Sequence, residues 1–249
     1  MIPKVIHYCW FGGKPLTKLA KKCIKSWKKY CPEYEIKEWN EGNYDVNSCP
    51  YVKEAYRVKK YPFVSDYARF DILYKYGGIY FDTDVELLKP IDEIVNNGAF
   101  MAVENINVNE GEERISVAPG LGIAAQPQMQ IYKELLDFYN SINFVNDSKQ
   151  LSLLTIVEYT TKIFKEHGLQ TKDENQKICD VTIYQKEYFN PTNMHTREIE
   201  LTDKTISIHH YAGSWLGKKD KLKRLIRKIL GNKIYLFFYD IKHKKKKKN

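Results

Sequence analysis

The stretch from Phe63 to Val85, FVSDYARFDILYKYGGIYFDTDV, constrains the fold more than any other part of this 249-residue chain. Tyr67, Phe70 and Tyr74 recur at three- and four-residue spacing, with Ala68, Ile72 and Leu73 between them. That pattern predicts a helix apolar over most of its circumference and therefore buried. Ser65 is the expected N-cap, and Asp66 falls in the first turn, where a carboxylate suits the helix dipole. Gly77-Gly78 supplies the stop, because glycine takes the left-handed conformation that ends helices. Ile79-Tyr80-Phe81 then reads as a short buried strand running into Asp82-Thr83-Asp84. In an extended segment residues i and i+2 point the same way, so the two carboxylates are expected on one side, about 7 Å apart along the chain. Such a pair of hard oxygen donors suits Mn2+ or Mg2+ alongside substrate phosphates. A solvated turn is the other reading of the triplet. Asp66 and Arg69, at i and i+3, share one helix face and are either site residues or an intrahelical ion pair of little energetic value.

Upstream, Val5 to Phe11 reads as an internal parallel strand, Leu16 to Tyr30 as a helix with lysines on its outer face, and Tyr34 to Trp39 as a second strand. Strand, helix and strand within about forty residues open a Rossmann-like α/β sheet. Helices are expected at Tyr51 to Lys59, Val64 to Tyr76, Gln128 to Tyr139 and Leu153 to His167. Later strands are expected at Phe100 to Val103, Ile115 to Ala125 (broken at Pro119-Gly120-Leu121-Gly122), Val181 to Tyr184 and Thr205 to His210.

Three segments together carry a family resemblance: IPKVIHYCWFGG at Ile2–Gly13, the DxD stretch itself, and SIHHYAGSW at Ser207–Trp215. In this order they resemble the sugar-nucleotide glycosyltransferases of the group containing the yeast initiating mannosyltransferase, the clostridial glucosylating toxins and many capsular-polysaccharide transferases. The resemblance implies a GT-A type α/β fold, a Rossmann-like mixed sheet with helices on both faces. It implies metal-dependent transfer of a hexose from a nucleotide diphosphate sugar to a glycan acceptor, with retention at the anomeric carbon. Trp10 would stack on the donor base, Asp66 and Arg69 would hold the donor sugar, and Tyr80 would line the same pocket. Asp82, Asp84 and His210 would bind Mn2+ or Mg2+, with His209 pointing the other way as a packed or supporting histidine. Ser214 and Trp215 would reach the β-phosphate, although the toxins place one residue between the corresponding Ser and Trp.

The net charge of +9 suggests nucleic acid until it is located. Residues 218–249 hold fourteen Lys/Arg and two Asp, leaving the rest of the chain at −3. The expected organisation is a catalytic domain over 1–217 and a basic amphipathic tail over 218–249. In that tail Leu222, Leu225, Ile226, Ile229 and Leu230 recur at helical spacing among lysines and arginines. This favours peripheral attachment to an anionic membrane surface and a lipid-linked glycan acceptor over nucleic-acid binding, since the basic residues are not interleaved on a folded platform. Five cysteines without a CxxC pair, and a start that lacks an apolar h-region, predict a cytoplasmic location at the inner face of the plasma membrane. Two other readings share the same diphosphate chemistry: a sugar-nucleotide hydrolase, and a non-catalytic sugar-nucleotide-binding protein.

Overall fold

The computed structural model describes residues 1–107, 114–145, 155–193, 196 and 198–213. Two compact units emerge: residues 1–191 with 201–212, and residues 192–200 with 213–249. In the second, Thr192 and Ile199 form an antiparallel bridge. The first carries all the regular elements that follow.

It begins with β1 (Val5–Cys9), α1 (Lys18–Tyr30) and β2 (Glu35–Trp39), the expected Rossmann-like opening. Thr17 caps α1 by accepting from the Ala20 N–H. Then come α2 (Pro50–Arg57), α3 (Tyr61–Tyr76), β3 (Gly78–Tyr80) and β4 (Val85–Leu87). Further on lie α4 (Asp92–Asn96), β5 (Ala99–Asn107), β6 (Arg114–Val117), a 3-10 turn at Pro119–Leu121, and β7 (Ile123–Ala125). The chain continues through α5 (Gln130–Asn140), α6 (Ile156–Glu166), β8 (Gln176–Ile178), β9 (Val181–Tyr184), α7 (Lys186–Phe189) and β10 (Ser207–His209). No helix of the described residues is long and apolar enough to cross a membrane.

The main sheet runs β2-β1-β3-β7-β5-β9-β8, with β6 paired to β5. β2, β1 and β3 are mutually parallel, β7 is antiparallel to both its neighbours, and β5 and β9 are parallel. The sheet is therefore mixed, as expected. Alternate residues of its central strands face opposite cores, as the two-residue period of a strand requires. Ile79, Phe81, Phe100 and Ala102 join the core under α1, α4 and α7, whereas Tyr80, Met101 and Val103 join the one under α2, α3, α5 and α6. Helices thus cover both faces, which is why β3 and β5 read as continuous apolar runs.

Two local expectations change. Ser65 is not an N-cap: α3 starts four residues earlier, with Pro62 in its first turn, and Ser65 Oγ donates back to Tyr61 O. Proline is well suited to the first helical turn because its missing N–H would have no partner there. The DxD triplet is not extended either. β3 ends at Tyr80, and Asp82 to Val85 form a turn closed by Val85 N–H to Asp82 O at 3.0 Å. The helix stop is as expected, with Gly77 at φ +66°.

Candidate active site

The site forms where β3 leaves the main sheet and enters the separate antiparallel pair β4–β10. The Trp27 side chain of α1, fully buried, donates its indole N–H to Val85 O at 2.8 Å and so anchors the end of the DxD turn. On the other side α3 presents Asp66 and Arg69. The Arg69 side chain is only 4% exposed and spans two carboxylates, Asp66 Oδ1 at 2.8 Å and Asp82 Oδ1 at 3.1 Å. Its Nε donates to Ser65 O, and the guanidinium lies 4.9 Å from the Tyr80 ring centroid. The Asp66–Arg69 contact is therefore more than an intrahelical pair: it ties the helix to the DxD turn. Tyr80 is buried in β3, and its hydroxyl stands 3.4 Å from Asp82 Oδ1, a long and weak hydrogen bond.

Asp84 is held differently. Its Oδ1 lies 3.0 Å from His209 Nε2, and its Oδ2 accepts the Ala212 N–H at 2.7 Å. One donor atom from each of Asp82, Asp84 and His209 falls within 4.8 Å of the others. Two carboxylates and one imidazole form a mixed O/N donor set suited to Mn2+ and tolerant of Mg2+. The buried His209 Nδ1 has no hydrogen-bond partner among the described residues. The residues present therefore fit a divalent cation.

The histidine in this group is His209, not the expected His210. His210 Nε2 instead meets Glu86 Oε2 at 2.7 Å, and the same oxygen takes Lys22 Nζ at 2.7 Å. Adjacent residues of a strand do point oppositely, as expected; the pairing of β10 with β4 decides which one faces Asp84. Tyr211, with φ +50°, follows directly and packs its ring 4.2 Å from that of His209.

The electrostatics follow from burial and pairing. Burial pushes the Asp66 carboxyl up to about 7 against the pull of Arg69. Burial also raises Asp82, again opposed by Arg69. For Asp84 burial is outweighed by the hydrogen bonds from His209 and Ala212, which hold it below the usual carboxylate range. His209 moves upward in turn: burial opposes the charge, but the Asp84 contact prevails.

Trp10 follows β1, donates its backbone N–H to Trp39 O at 2.8 Å and its indole N–H to Lys14 O at 2.5 Å, and is half-buried. It closes the loop containing Gly12-Gly13. Ser214, Trp215 and the basic tail lie outside the described residues. That Gly120 abuts Asp82 is not legible in the sequence, where the resemblance implies only that Ala118-Pro119-Gly120 falls at an acceptor-side loop. A Cβ at this position would collide with Asp82 Oδ2, so only glycine lets the 3-10 turn approach that carboxylate. Its setting in Pro119-Gly120-Leu121-Gly122 marked a break, not a neighbour of Asp82.

Residues 17–101 match the family described as a glycosyltransferase sugar-binding region containing a DXD motif. An uncharacterized glycosyltransferase of Acanthamoeba polyphaga mimivirus is 24% identical over 78% of this chain and 75% of its own. The initiation-specific alpha-1,6-mannosyltransferase of Candida albicans is 30% identical over 38% of this chain. The chain spans only 27% of that fungal relative. Among solved structures, a glycosyltransferase involved in glycosylating the major capsid of PBCV-1 overlaps 85% of this chain and 95% of its own, at 14% identity and a TM-score of 0.45. Residues 17–101, which supply Asp66, Arg69, Tyr80, Asp82 and Asp84, thus match a glycosyltransferase sugar-binding region containing the DXD motif, and the viral relative, similar over most of both chains, supports a glycosyltransferase.

Proposed function

We propose that this enzyme transfers a hexose from a nucleoside diphosphate sugar to a glycan acceptor in a divalent-metal-dependent reaction that retains anomeric configuration. The observation that carries the reading is the convergence of Asp82, Asp84 and His209 beside the Asp66–Arg69 pair. Those three residues would hold the cation, which when bound neutralises the diphosphate and the charge that develops on the leaving group. Arg69 keeps Asp82 oriented, and its Nη1 has no acceptor among the described residues, so it has donors left for a ligand oxygen. Asp66 accepts from donor-sugar hydroxyls, Trp10 offers an indole face to the base, and Tyr80 backs the pocket. Ser214 and Trp215 contribute to the β-phosphate. The mannosyltransferase relative favours a mannose donor. The role is cell-surface or capsular polysaccharide synthesis. The catalytic domain spans 1–217, and the basic tail over 218–249 holds the enzyme at the inner face of the membrane, next to a lipid-linked acceptor.

The test incubates the protein with Mn2+, a panel of nucleoside diphosphate hexoses and a crude lipid-linked glycan fraction. Sugar incorporation that vanishes in chelator and in Asp84→Ala is expected. Undiminished transfer by Asp84→Ala in chelator would refute metal dependence at this site. Nucleotide binding without turnover would favour a binding protein, and release of free sugar alone a hydrolase.

A further inference from the structure

The charge arrangement of α1 is not explained by the folding of the helix. Lys18, Lys21, Lys22, Lys25, Lys28 and Lys29 all lie in its 13 residues, and every one is exposed. At 100° per residue they fall within an arc of about 120°, a strip about 17 Å long. The opposite face, with Ala20, Cys23, Ile24 and Trp27, is buried. Residues 11–30 hold seven lysines, Lys14 included, and no Asp or Glu, which leaves the remainder of 1–217 at −10. Lysines three and four apart repel one another along the whole strip, and such like-charge pairs weaken a helix. Lys18 and Lys21 also stand in the first turn, where the helix dipole disfavours cations and no acidic residue offsets them. Within the strip only Lys22 has a carboxylate partner among the described residues, Glu86. Lys29 meets the hydroxyl and ring of Tyr30, and Lys18, Lys21, Lys25 and Lys28 form no ion pair among the described residues.

The strip is fixed to the candidate active site. Lys22 Nζ and His210 Nε2 share Glu86 Oε2, each at 2.7 Å, and His210 directly follows His209. Ser26 Oγ accepts the Leu87 N–H at 2.9 Å, and Trp27 donates to Val85 O at 2.8 Å, so α1 side chains hold β4 at two points. At its start α1 follows the loop that Trp10 closes on Lys14 O. A row of positive charge therefore runs from the Gly12-Gly13 loop past the end of the DxD turn.

The chemistry of the strip selects its partner. It is narrow and straight, which fits a linear polyanion. An interfacial membrane helix inserts its apolar face into lipid, and that face of α1 is taken up by the core of the protein itself. Single-stranded nucleic acid is held by aromatic rings that stack on bases between the cations, and no aromatic side chain lies in this strip. All six cations are lysines, point charges on flexible stems without the planar fork of arginine, which suits spaced anionic groups on a flexible chain. We propose that this strip docks the acceptor, and that the acceptor is an acidic glycan whose carboxylate or phosphate groups lie along α1 while its end reaches the DxD site. This rests on the glycosyltransferase reading above and gives its second substrate a charge.

The experiment uses the full chain, with polygalacturonate as the acidic glycan and dextran as the neutral one. Acetylation of lysines, read by mass spectrometry, is compared with and without each polymer. Polygalacturonate should protect Lys18, Lys21, Lys25 and Lys28 and leave the exposed Lys53 and Lys165 reactive, and dextran should protect none of them. A variant combining Lys18→Gln, Lys21→Gln, Lys25→Gln and Lys28→Gln should bind polygalacturonate about 10-fold more weakly (~1.4 kcal/mol), the scale of four exposed ion pairs. Its binding should also depend less steeply on salt. Its affinity for Mn2+ with a nucleoside diphosphate should stay within about twofold, as for surface substitutions elsewhere. Replacing Lys244, Lys245, Lys246 and Lys247 by Gln controls for net charge and should leave the protection of α1 in place. Equal acetylation of the α1 lysines with and without polygalacturonate would overturn the proposal. So would stronger protection by single-stranded DNA or by phosphatidylglycerol vesicles, which would assign the strip to nucleic acid or to a membrane. Donor hydrolysis measured alongside tests the other reading separately. A chain whose α1 lysines are protected but which releases no sugar from any nucleoside diphosphate hexose would refute the glycosyltransferase reading and leave the docking surface standing.

Discussion

His7 should make the stability of this enzyme sag on the acid side, by an amount its burial sets. The side chain is 2% exposed, in the middle of β1. Its Nδ1 accepts the Trp39 indole N–H at 3.1 Å, and its Nε2 faces Gly77 O at 3.0 Å, so the ring is neutral with the proton on Nε2. It joins β2, β1 and the glycine stop that launches the DxD strand. Burial pushes its pKa from 6.5 down to about 4, opposed by the Gly77 carbonyl and assisted by Lys37. The sign follows directly. Below 6.5 the unfolded chain takes up a proton that the folded chain refuses until about 4, so stability present at neutral pH is lost as the pH falls. At 1.36 kcal/mol per unit, the loss is about 1 kcal/mol at pH 6, about 2 at pH 5 and about 3 at pH 4. Other groups titrate in the same range, and Asp66, pushed up to about 7, works in the opposite direction. A difference measurement removes them. His7→Gln offers a similar donor and acceptor without the titration, so urea unfolding of both proteins at pH 7, 6, 5 and 4 isolates the histidine. At pH 7 the variant should be weaker by about 1–2 kcal/mol, for one imperfectly replaced hydrogen bond. By pH 4 the order should reverse. Curves that stay parallel from pH 7 to 4 would show that His7 is not held neutral and would refute the reasoning.

His209→Ala should lower Mn2+ affinity by about 100-fold or more and His210→Ala by no more than about 10-fold, the scale of supporting-residue effects; titration calorimetry giving the opposite order would restore His210 as the ligand. Gly120→Ala should displace Asp82 and weaken Mn2+ binding at least 10-fold, a cost of about 1.4 kcal/mol, with far-UV circular dichroism unchanged. Superimposable binding isotherms would show that the turn yields instead. Trp27→Phe keeps the buried ring but leaves Val85 O without its donor, so it should cost about 1–3 kcal/mol in urea unfolding, and a loss below 0.5 would contradict the anchor. Full-length protein should sediment with anionic liposomes at low salt and be released at high salt, while a chain ending at Gly217 stays in solution; equal partitioning would remove the membrane role of the tail.

Much of this site is written in short-range pattern. The spacing of Tyr67, Phe70 and Tyr74 and the Gly77 stop define a buried helix ending before a strand, because apolar periodicity and glycine conformation act within a few residues. The same spacing puts Asp66 and Arg69 on one face, and chain order alone delivers them near Asp82. The alternation of Ile79, Tyr80 and Phe81 between two cores is likewise a property of the strand itself. What the sequence could not settle depends on contacts between distant residues. Whether His209 or His210 faces Asp84 is fixed by the register of β10 on β4, a pairing across more than a hundred residues. Local periodicity specifies that the two histidines diverge, but not which side meets the carboxylates. The turn conformation of the DxD arises because Trp27 and β10 hold Val85 and Asp84 from outside the segment. Gly120 joins the site only because the turn leading into β7 is carried back against β3, and His7 is neutral only because Trp39 and Gly77 close around it. Side-chain type and spacing determine what each element can offer, and tertiary packing decides which offers meet.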